Sequence, residues 1–71
     1  MSRVYKKIEL VGTSTESFED AIKVAVERAA KTLKHLLWFE VKELRGAIRD
    51  GKVSEFQVVL QVAFRVEEDV E

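Results

Sequence analysis

The chain has 71 residues, and its 12 basic side chains nearly balance its 13 acidic ones. A domain of this size buries only about 60% of the surface that its unfolded chain exposes, so a single copy is marginally stable. Small scaffolds are usually reinforced by disulfides, a metal or oligomerisation. Because the chain has no Cys and only one His, we expect no disulfide and no metal site. Of the three kinds of reinforcement, this leaves oligomerisation. The balanced charge also disfavours a dedicated nucleic-acid binder.

The apolar segments are too short for a membrane protein. No apolar run approaches the roughly 20 residues that span a bilayer, and no segment resembles a signal peptide. The mostly acidic residues 67–71 are interpreted as a solvated tail. We expect a single domain over residues 1–71 in a cytoplasmic protein, without nucleic-acid or membrane partners.

The first half of the chain predicts a strand and a long helix. In residues 4–11, Val4, Ile8 and Leu10 share one parity, which is typical of a strand with one buried face. From about residue 16 to about residue 36, apolar side chains recur at three- and four-residue steps and predict a helix. At about 1.5 Å per residue, this helix would be roughly 30 Å long.

Both ends of the predicted helix carry candidate capping residues. Thr13 and Glu16 have the spacing of a capping box, and Ser14 or Ser17 fits the N-cap equally well. His35, near the predicted C-terminus, is interpreted as a cap or a partner of the helix dipole rather than as a catalytic group.

The second strand, predicted over residues 38–48, changes parity along its length. Phe39 and Val41 share one face of a regular strand, whereas Leu44 falls on the other. A β-bulge inserts one extra residue and restores the apolar side chains to a single face. We therefore predict a bulge near Lys42 or Glu43.

A tight turn and a long third strand complete the predicted fold. Asp50-Gly51 is typical of a hairpin turn, and residues 53–66 alternate without interruption, which favours the central place in the sheet. The predicted class is α+β, a βαββ chain whose three-stranded antiparallel sheet wraps around one helix. A strand of about 14 residues spans roughly 45 Å, more than the helix covers. The uncovered apolar residues and strand edges favour a closed symmetric assembly.

Trp38 is the principal candidate for ligand binding. Phe39 continues the buried parity of the strand, so Trp38 points to the opposite face. One interpretation is a contact between subunits. The other is a stacking surface for a flat ring, for which one aromatic side chain contributes about 1–3 kcal/mol.

Gln57 and Arg45 are the polar candidates. The amide of Gln57 offers a donor and an acceptor that match the imide edge of a flavin or pyrimidine. A three-residue hairpin loop would place Arg45 opposite Gln57, and a two-residue loop would place Leu44 there. The first register is favoured, because it keeps Leu44 with Val58 on the core face; Gly46 then leaves room for the ring of Phe56. The alternatives are a solvated surface amide for Gln57 and an ordinary ion pair of Arg45 with Glu43 or Glu55.

Several segments together resemble one known family. The segments are Val4-Tyr5-Lys6, Val11-Gly12-Thr13-Ser14, Trp38-Phe39-Glu40-Val41, Arg45-Gly46, Gly51-Lys52-Val53 and Phe56-Gln57-Val58. In combination and at these spacings, over nearly the whole chain, they are similar to the dodecin family.

The resemblance implies a hollow homododecamer that binds flavin in pairs at subunit contacts, between Trp side chains. Trp38 matches the stacking Trp, Gln57 matches the residue that bonds the polar edge of the ring, and Arg45 matches a position beside the flavin. Arg65 is expected near subunit contacts, facing a phosphate-bearing ligand. The implied ligands are FMN, riboflavin or FAD, and some members also hold coenzyme A. Ala63 stands where many members have Gly.

The resemblance also implies flavin storage and protection from light-driven damage, without enzymatic turnover. Stacking against Trp38 is expected to quench the excited flavin. The alternatives are a purely structural cage or a coenzyme A carrier. A small enzyme is disfavoured because no nucleophile with a neighbouring base is recognisable.

Overall fold

The computed structural model of the protein describes residues 2–66, so the acidic tail lies outside the described residues. In chain order, the elements are β1 (Tyr5–Ser14), α1 (Phe18–Ala29), β2 (Leu36–Arg49) and β3 (Lys52–Arg65). The strands form one sheet in the order β1-β3-β2, and β3 pairs antiparallel with both neighbours. The predicted α+β class, the βαββ order and the central place of β3 are confirmed.

One face of the sheet packs on α1 and forms the core. The fully buried residues of this core are Ala21 of α1 and Val58, Leu60 and Val62 of β3. The three β3 residues alternate along the strand as the period of two predicts. We call the face towards α1 the inner face and the opposite one the outer face.

The helix is much shorter than the sequence pattern predicted. It has 12 residues, about 18 Å at about 1.5 Å per residue. It begins after Ser17, whose Oγ accepts from Asp20 N at 2.9 Å. The alternative of Ser17 as the N-cap is therefore confirmed, and the capping box of Thr13 and Glu16 is wrong. The apolar pattern in the sequence continues past the end of the helix, because Leu33 and Leu36 also pack against the core. However, Leu33 belongs to the connecting loop and Leu36 to β2.

His35 lies beyond the helix, not at its C-terminus. The C-cap is Ala30, and His35 precedes β2 with a φ of 64°, in the left-handed region that is uncommon for residues other than Gly. Its interpretation as a helix cap is therefore wrong.

Bulges shift the pairing of β2 with β3. The predicted bulge is confirmed, because Val41 pairs with Leu60 and Glu43 with Val59, leaving Lys42 extra. On β3, Ala47 pairs with Glu55 and Ile48 with Val53. Ser54 is thus a second extra residue, and the expectation of an uninterrupted third strand was wrong there.

The hairpin turn has the predicted position. Arg49 pairs with Lys52, so the loop is Asp50-Gly51, and both residues have positive φ, 54° and 75°, as a type I′ turn requires. Because Ser54 adds one residue, the two-residue loop still leaves Arg45 opposite Gln57. The predicted pairing was right, but the three-residue loop invoked for it was wrong.

The hairpin extends beyond the helix as an uncovered arm. β2 and β3 have 14 residues each, about 45 Å, against about 18 Å for α1. Leu44, Ile48 and Val53 of this arm are 57%, 77% and 61% exposed. Within residues 2–66, no helix is long and apolar enough to cross a membrane.

Candidate ligand-binding face of the sheet

A bulge at the start of β2 places Trp38 on the outer face. Leu36 pairs with Phe64 and packs against the core, whereas Trp38 pairs with Ala63. Leu37 is the extra residue between them, so two residues of equal parity point to opposite faces. The expectation that Trp38 lies away from the helix is confirmed, and its side chain is 42% exposed.

Two side chains of the outer face, Tyr5 and Glu40, contact the indole, and Lys7 in turn contacts Glu40. The ring of Tyr5 meets it edge-on, with centroids 5.1 Å apart and an interplanar angle of 63°. The indole N–H of Trp38 donates to Glu40 Oε2 at 2.9 Å, and Lys7 Nζ lies 3.0 Å from Glu40 Oε1. The hydrogen bond from Trp38, followed by that from Lys7, holds the pKa of the Glu40 carboxyl below its ordinary value.

Ala63 lies beneath this group. It pairs with Lys7 on one side and with Trp38 on the other, and it is fully buried although it faces away from the helix. Its methyl group is therefore covered within the chain, and it does not protrude from the outer face. Its small size leaves room for Lys7 to reach across β3 to β2.

Gln57 and Arg45 lie on the same face, further along the sheet. Arg45 pairs with Gln57, which pairs on its other side with Thr13. The Gln57 amide nitrogen donates to Glu55 Oε1 at 2.9 Å. Within residues 2–66 Arg45 forms no ion pair, so the expected alternative of a pair with Glu43 or Glu55 is not observed.

Gly46 lies opposite Phe56, as predicted, but the reason is different. A Cβ on Gly46 would lie 2.7 Å from the carbonyl oxygen of Glu55, a contact that real structures avoid. The backbone beside the Ser54 bulge, rather than the ring of Phe56, excludes a side chain at this position.

Arg65 belongs to the end of the sheet that carries Trp38. It pairs with Tyr5 at the last position of β3 and is exposed. Its guanidinium forms no ion pair with any described residue, and its planar donors are of the kind that suits a phosphate group.

The predicted site residues form two groups in one chain. The indole group consists of Tyr5, Lys7, Trp38, Glu40 and Arg65; the amide group consists of Thr13, Arg45, Glu55 and Gln57. Trp38 pairs with Ala63, which is six positions from Gln57 along β3. The two groups are therefore about 20 Å apart, too far for Trp38 and Gln57 of one chain to hold the same ring.

Sequence reasoning missed Tyr5, Lys7 and Glu40. Tyr5 and Lys7 share the outer parity of β1, and Glu40 follows Trp38 by two residues on one strand, so the period of two places each on the outer face. The missing information was the register of β1, which decides which of its residues lie level with Trp38.

The chain is similar to known proteins both in sequence and in fold. The sequence model of the Dodecin family matches residues 4–67. A curated dodecin of Thermus thermophilus is 63% identical over 68 residues, which are 96% of this chain and 99% of that protein. A crystal structure of a T. thermophilus protein is 62% identical, with a TM-score of 0.90 over 96% of this chain and 100% of the other.

The W38F variant of T. thermophilus dodecin has also been solved. It is 61% identical to this chain, with a TM-score of 0.88 over 94% of this chain and 100% of the variant. The sequence match, the shared βαββ fold and the position of Trp38 on the outer face lead to one conclusion: the chain belongs to the dodecin family.

Proposed function

We propose that this protein binds a flavin, FMN or riboflavin, between copies of itself in a cytoplasmic homododecamer. The protein stores the flavin and limits its light-driven damage, and it is not an enzyme. The observation that carries this proposal is the indole of Trp38, 42% exposed on the outer face of the sheet in a member of the dodecin family.

The residues of the outer face fit such a ligand chemically. The indole of Trp38 offers a stacking surface worth about 1–3 kcal/mol for a base-sized ring. Gln57 offers a donor and an acceptor to the imide edge. Arg45 and Arg65 offer guanidinium groups that suit the phosphate of FMN or of coenzyme A. When bound, a flavin supplies a light-absorbing, electron-accepting ring.

A site shared between copies follows from the distances within one chain. The indole group and the amide group are about 20 Å apart along β3, farther than one flavin ring reaches. In our proposal, Trp38 of one copy and Gln57 of another hold one flavin.

The uncovered arm supports the assembly that this shared site needs. Leu44, Ile48 and Val53 expose most of their surface in a single copy, and such apolar side chains favour association. A closed assembly covers them and removes the two strand edges of the sheet. Association also provides the stability that a small domain lacks.

The protective role rests on the chemistry of Trp38. The indole is an electron donor, and stacking it against an excited flavin quenches the excited state before oxygen is activated. The two arginines bind the phosphate, the amide of Gln57 orients the ring, and the contact between copies excludes water. Each role is one of binding or orientation, and none requires turnover.

The proposal is tested by titrating FMN and riboflavin with the protein while the mass of the assembly is measured. We expect a dodecamer and nearly complete loss of flavin fluorescence. Trp38→Ala should weaken flavin binding by about fivefold to 150-fold, the equivalent of about 1–3 kcal/mol, while the mass of the assembly stays unchanged. The affinity of Trp38→Phe should lie between those of the wild type and Trp38→Ala. Retention of affinity and quenching in Trp38→Ala would contradict the stacking role. An intact assembly that binds coenzyme A but no flavin would favour a carrier without flavin.

A further inference from the structure

The indole of Trp38 is held by a carboxylate that is itself held by an ammonium group. Trp38 Nε1 donates to Glu40 Oε2 at 2.9 Å, while Glu40 Oε1 accepts from Lys7 Nζ at 3.0 Å. The two oxygens of one carboxylate thus join the indole of β2 to a side chain of β1. Tyr5 adds an edge-on ring contact at 5.1 Å.

We propose that Glu40, anchored by Lys7, is a positioning residue that fixes the ring plane of Trp38 for the incoming ligand and strengthens the indole as an electron donor. This inference rests on the proposed flavin-binding function and deepens it. It assigns roles to two charged side chains that do not need to touch the ligand.

The backbone makes this arrangement specific. Trp38 and Glu40 are two residues apart on one strand and therefore share a face. Lys7 and Trp38 flank Ala63 in the sheet, so the Lys7 side chain passes over β3 to reach Glu40. The methyl of Ala63 is small enough to allow this passage.

Stability does not explain the arrangement. The side chains of Lys7 and Glu40 are 43% and 45% exposed, and ion pairs at such positions contribute little to folding. The arrangement contributes more to ligand binding than to folding, because a large side chain that is already ordered loses less rotamer entropy when the ligand binds. An N–H that donates to an anion also leaves more electron density on the indole ring.

A second ion pair on the same face provides a matched control. Lys42 Nζ lies 3.3 Å from Glu9 Oε1, and this pair also joins β2 to β1 above β3. The exposed fractions of its side chains, 52% and 51%, resemble those of the first pair. No hydrogen bond or ring contact joins the Glu9 pair to Trp38 within residues 2–66, so its loss tests the effect of removing charge alone.

The experiment compares Glu40→Gln, Glu40→Ala and Lys7→Met with Glu9→Gln. The chain has one Trp, so the ultraviolet resonance Raman band that reports indole N–H hydrogen bonding belongs to Trp38 alone. This band is recorded without ligand, and each variant is then titrated with FMN at unchanged assembly mass. Glu40→Gln keeps the size of the side chain and guards against misfolding of Glu40→Ala.

We expect the Raman band to shift towards a weaker hydrogen bond in both Glu40 variants and to remain unchanged in Glu9→Gln. FMN affinity should fall by about twofold to tenfold in the Glu40 variants, the cost of ordering one side chain at an interface. The bound flavin should also retain more fluorescence. Lys7→Met should show the same changes to a smaller extent.

Two results would overturn the inference in different ways. If the wild type binds FMN and the Glu40 variants bind and quench it equally well, the positioning role is wrong and the proposed function stands. If the wild type does not quench FMN, the proposed function fails, and the positioning role fails with it, whatever the Raman band shows.

Discussion

Trp38 and Gln57 lie on the same face of the sheet but about 20 Å apart, because Trp38 pairs with Ala63, six positions from Gln57 along β3. Arg45 lies with Gln57, and Arg65 lies with the indole. One chain therefore carries the indole group and the amide group at separate places on its outer face. A flavin that contacts both an indole and a glutamine amide must contact two chains.

This separation predicts complementation between defective chains. Trp38→Ala and Gln57→Ala should each bind FMN poorly on their own. Co-expressed in one assembly, they should recover part of the binding, because some contacts join an intact indole to an intact amide of another copy. Fluorescence titration of the mixed assembly measures the recovery. A mixed assembly that binds no better than its two parents would place both residues of a site in one chain.

Glu40 predicts a pH dependence for the site. The hydrogen bond from Trp38, and then that from Lys7, lowers the pKa of this carboxyl below its ordinary value of 4.5. A group whose pKa is lowered by folding stabilises the folded form above its unfolded pKa and loses that effect as pH falls through the lowered value. Trp38 emission and FMN affinity should therefore stay constant from neutral pH into the acidic range. Both should change only when the pH falls below 4.5, the ordinary pKa of the Glu40 carboxyl.

Glu40→Gln is the control for that titration, because it has no proton to gain. The charged neighbours on the outer face, Lys7, Glu9 and Lys42, remain in place. A step of equal size and position in Glu40→Gln would assign the transition to another carboxyl.

Gly12 is predicted to set the distance between β1 and α1. A Cβ at this position would lie 2.9 Å from the Cβ of Ala25 and closer still to the carbonyl oxygen of Ala21. The helix backbone would have to move, and overpacking of this kind costs about 1–3 kcal/mol. Gly12→Ala should lower the free energy of unfolding by that amount in denaturant titration. The control is Val11→Ala, a substitution at the neighbouring exposed residue. Equal stability of Gly12→Ala and Val11→Ala would contradict this role of Gly12.

Gly51 is predicted to be required by its backbone conformation alone. Its φ is +75°, and no atom lies within 4 Å of a Cβ built there, so space does not limit the position. Gly51→Ala should cost about 1–2 kcal/mol, the penalty of a left-handed conformation with a side chain. Asp50→Asn, which keeps the preferences of a type I′ turn, should be neutral. Thermal unfolding distinguishes them, and a neutral Gly51→Ala would refute the argument from φ.

The uncovered arm is predicted to carry the contacts that form the assembly. Leu44→Glu places a charge on a side chain that is 57% exposed in one copy and buried between copies in the proposed assembly. Such a charge is costly to bury, and the assembly should dissociate in native mass measurements. Lys31→Gln changes the net charge by the same amount at an exposed position after the helix and should leave the mass unchanged. A full-sized assembly of Leu44→Glu would exclude the arm as an interface.

The sequence by itself determined the order of elements and the faces of most strand residues. Alternation with a period of two identified the core face through Val58, Leu60 and Val62, and Asp50-Gly51 marked the turn, because strand patterning and turn chemistry act within a few residues. The parity change near Lys42 revealed a bulge for the same reason. Parity and side-chain chemistry also made Trp38, Gln57 and Arg45 candidate site residues, and the family resemblance added Arg65.

Only the tertiary structure decided where the helix ends, which residues are extra in the strands, and which outer-face side chains meet. The stripe through Leu33 and Leu36 looks helical because packing against one core imposes a similar spacing on a loop and a strand. Ser54 and Leu37 leave no local mark, since a bulge is recognised by what lies opposite it. The hydrogen bond from Trp38 to Glu40, the reach of Lys7 and the distance to Gln57 all depend on pairing across strands that are far apart in the chain.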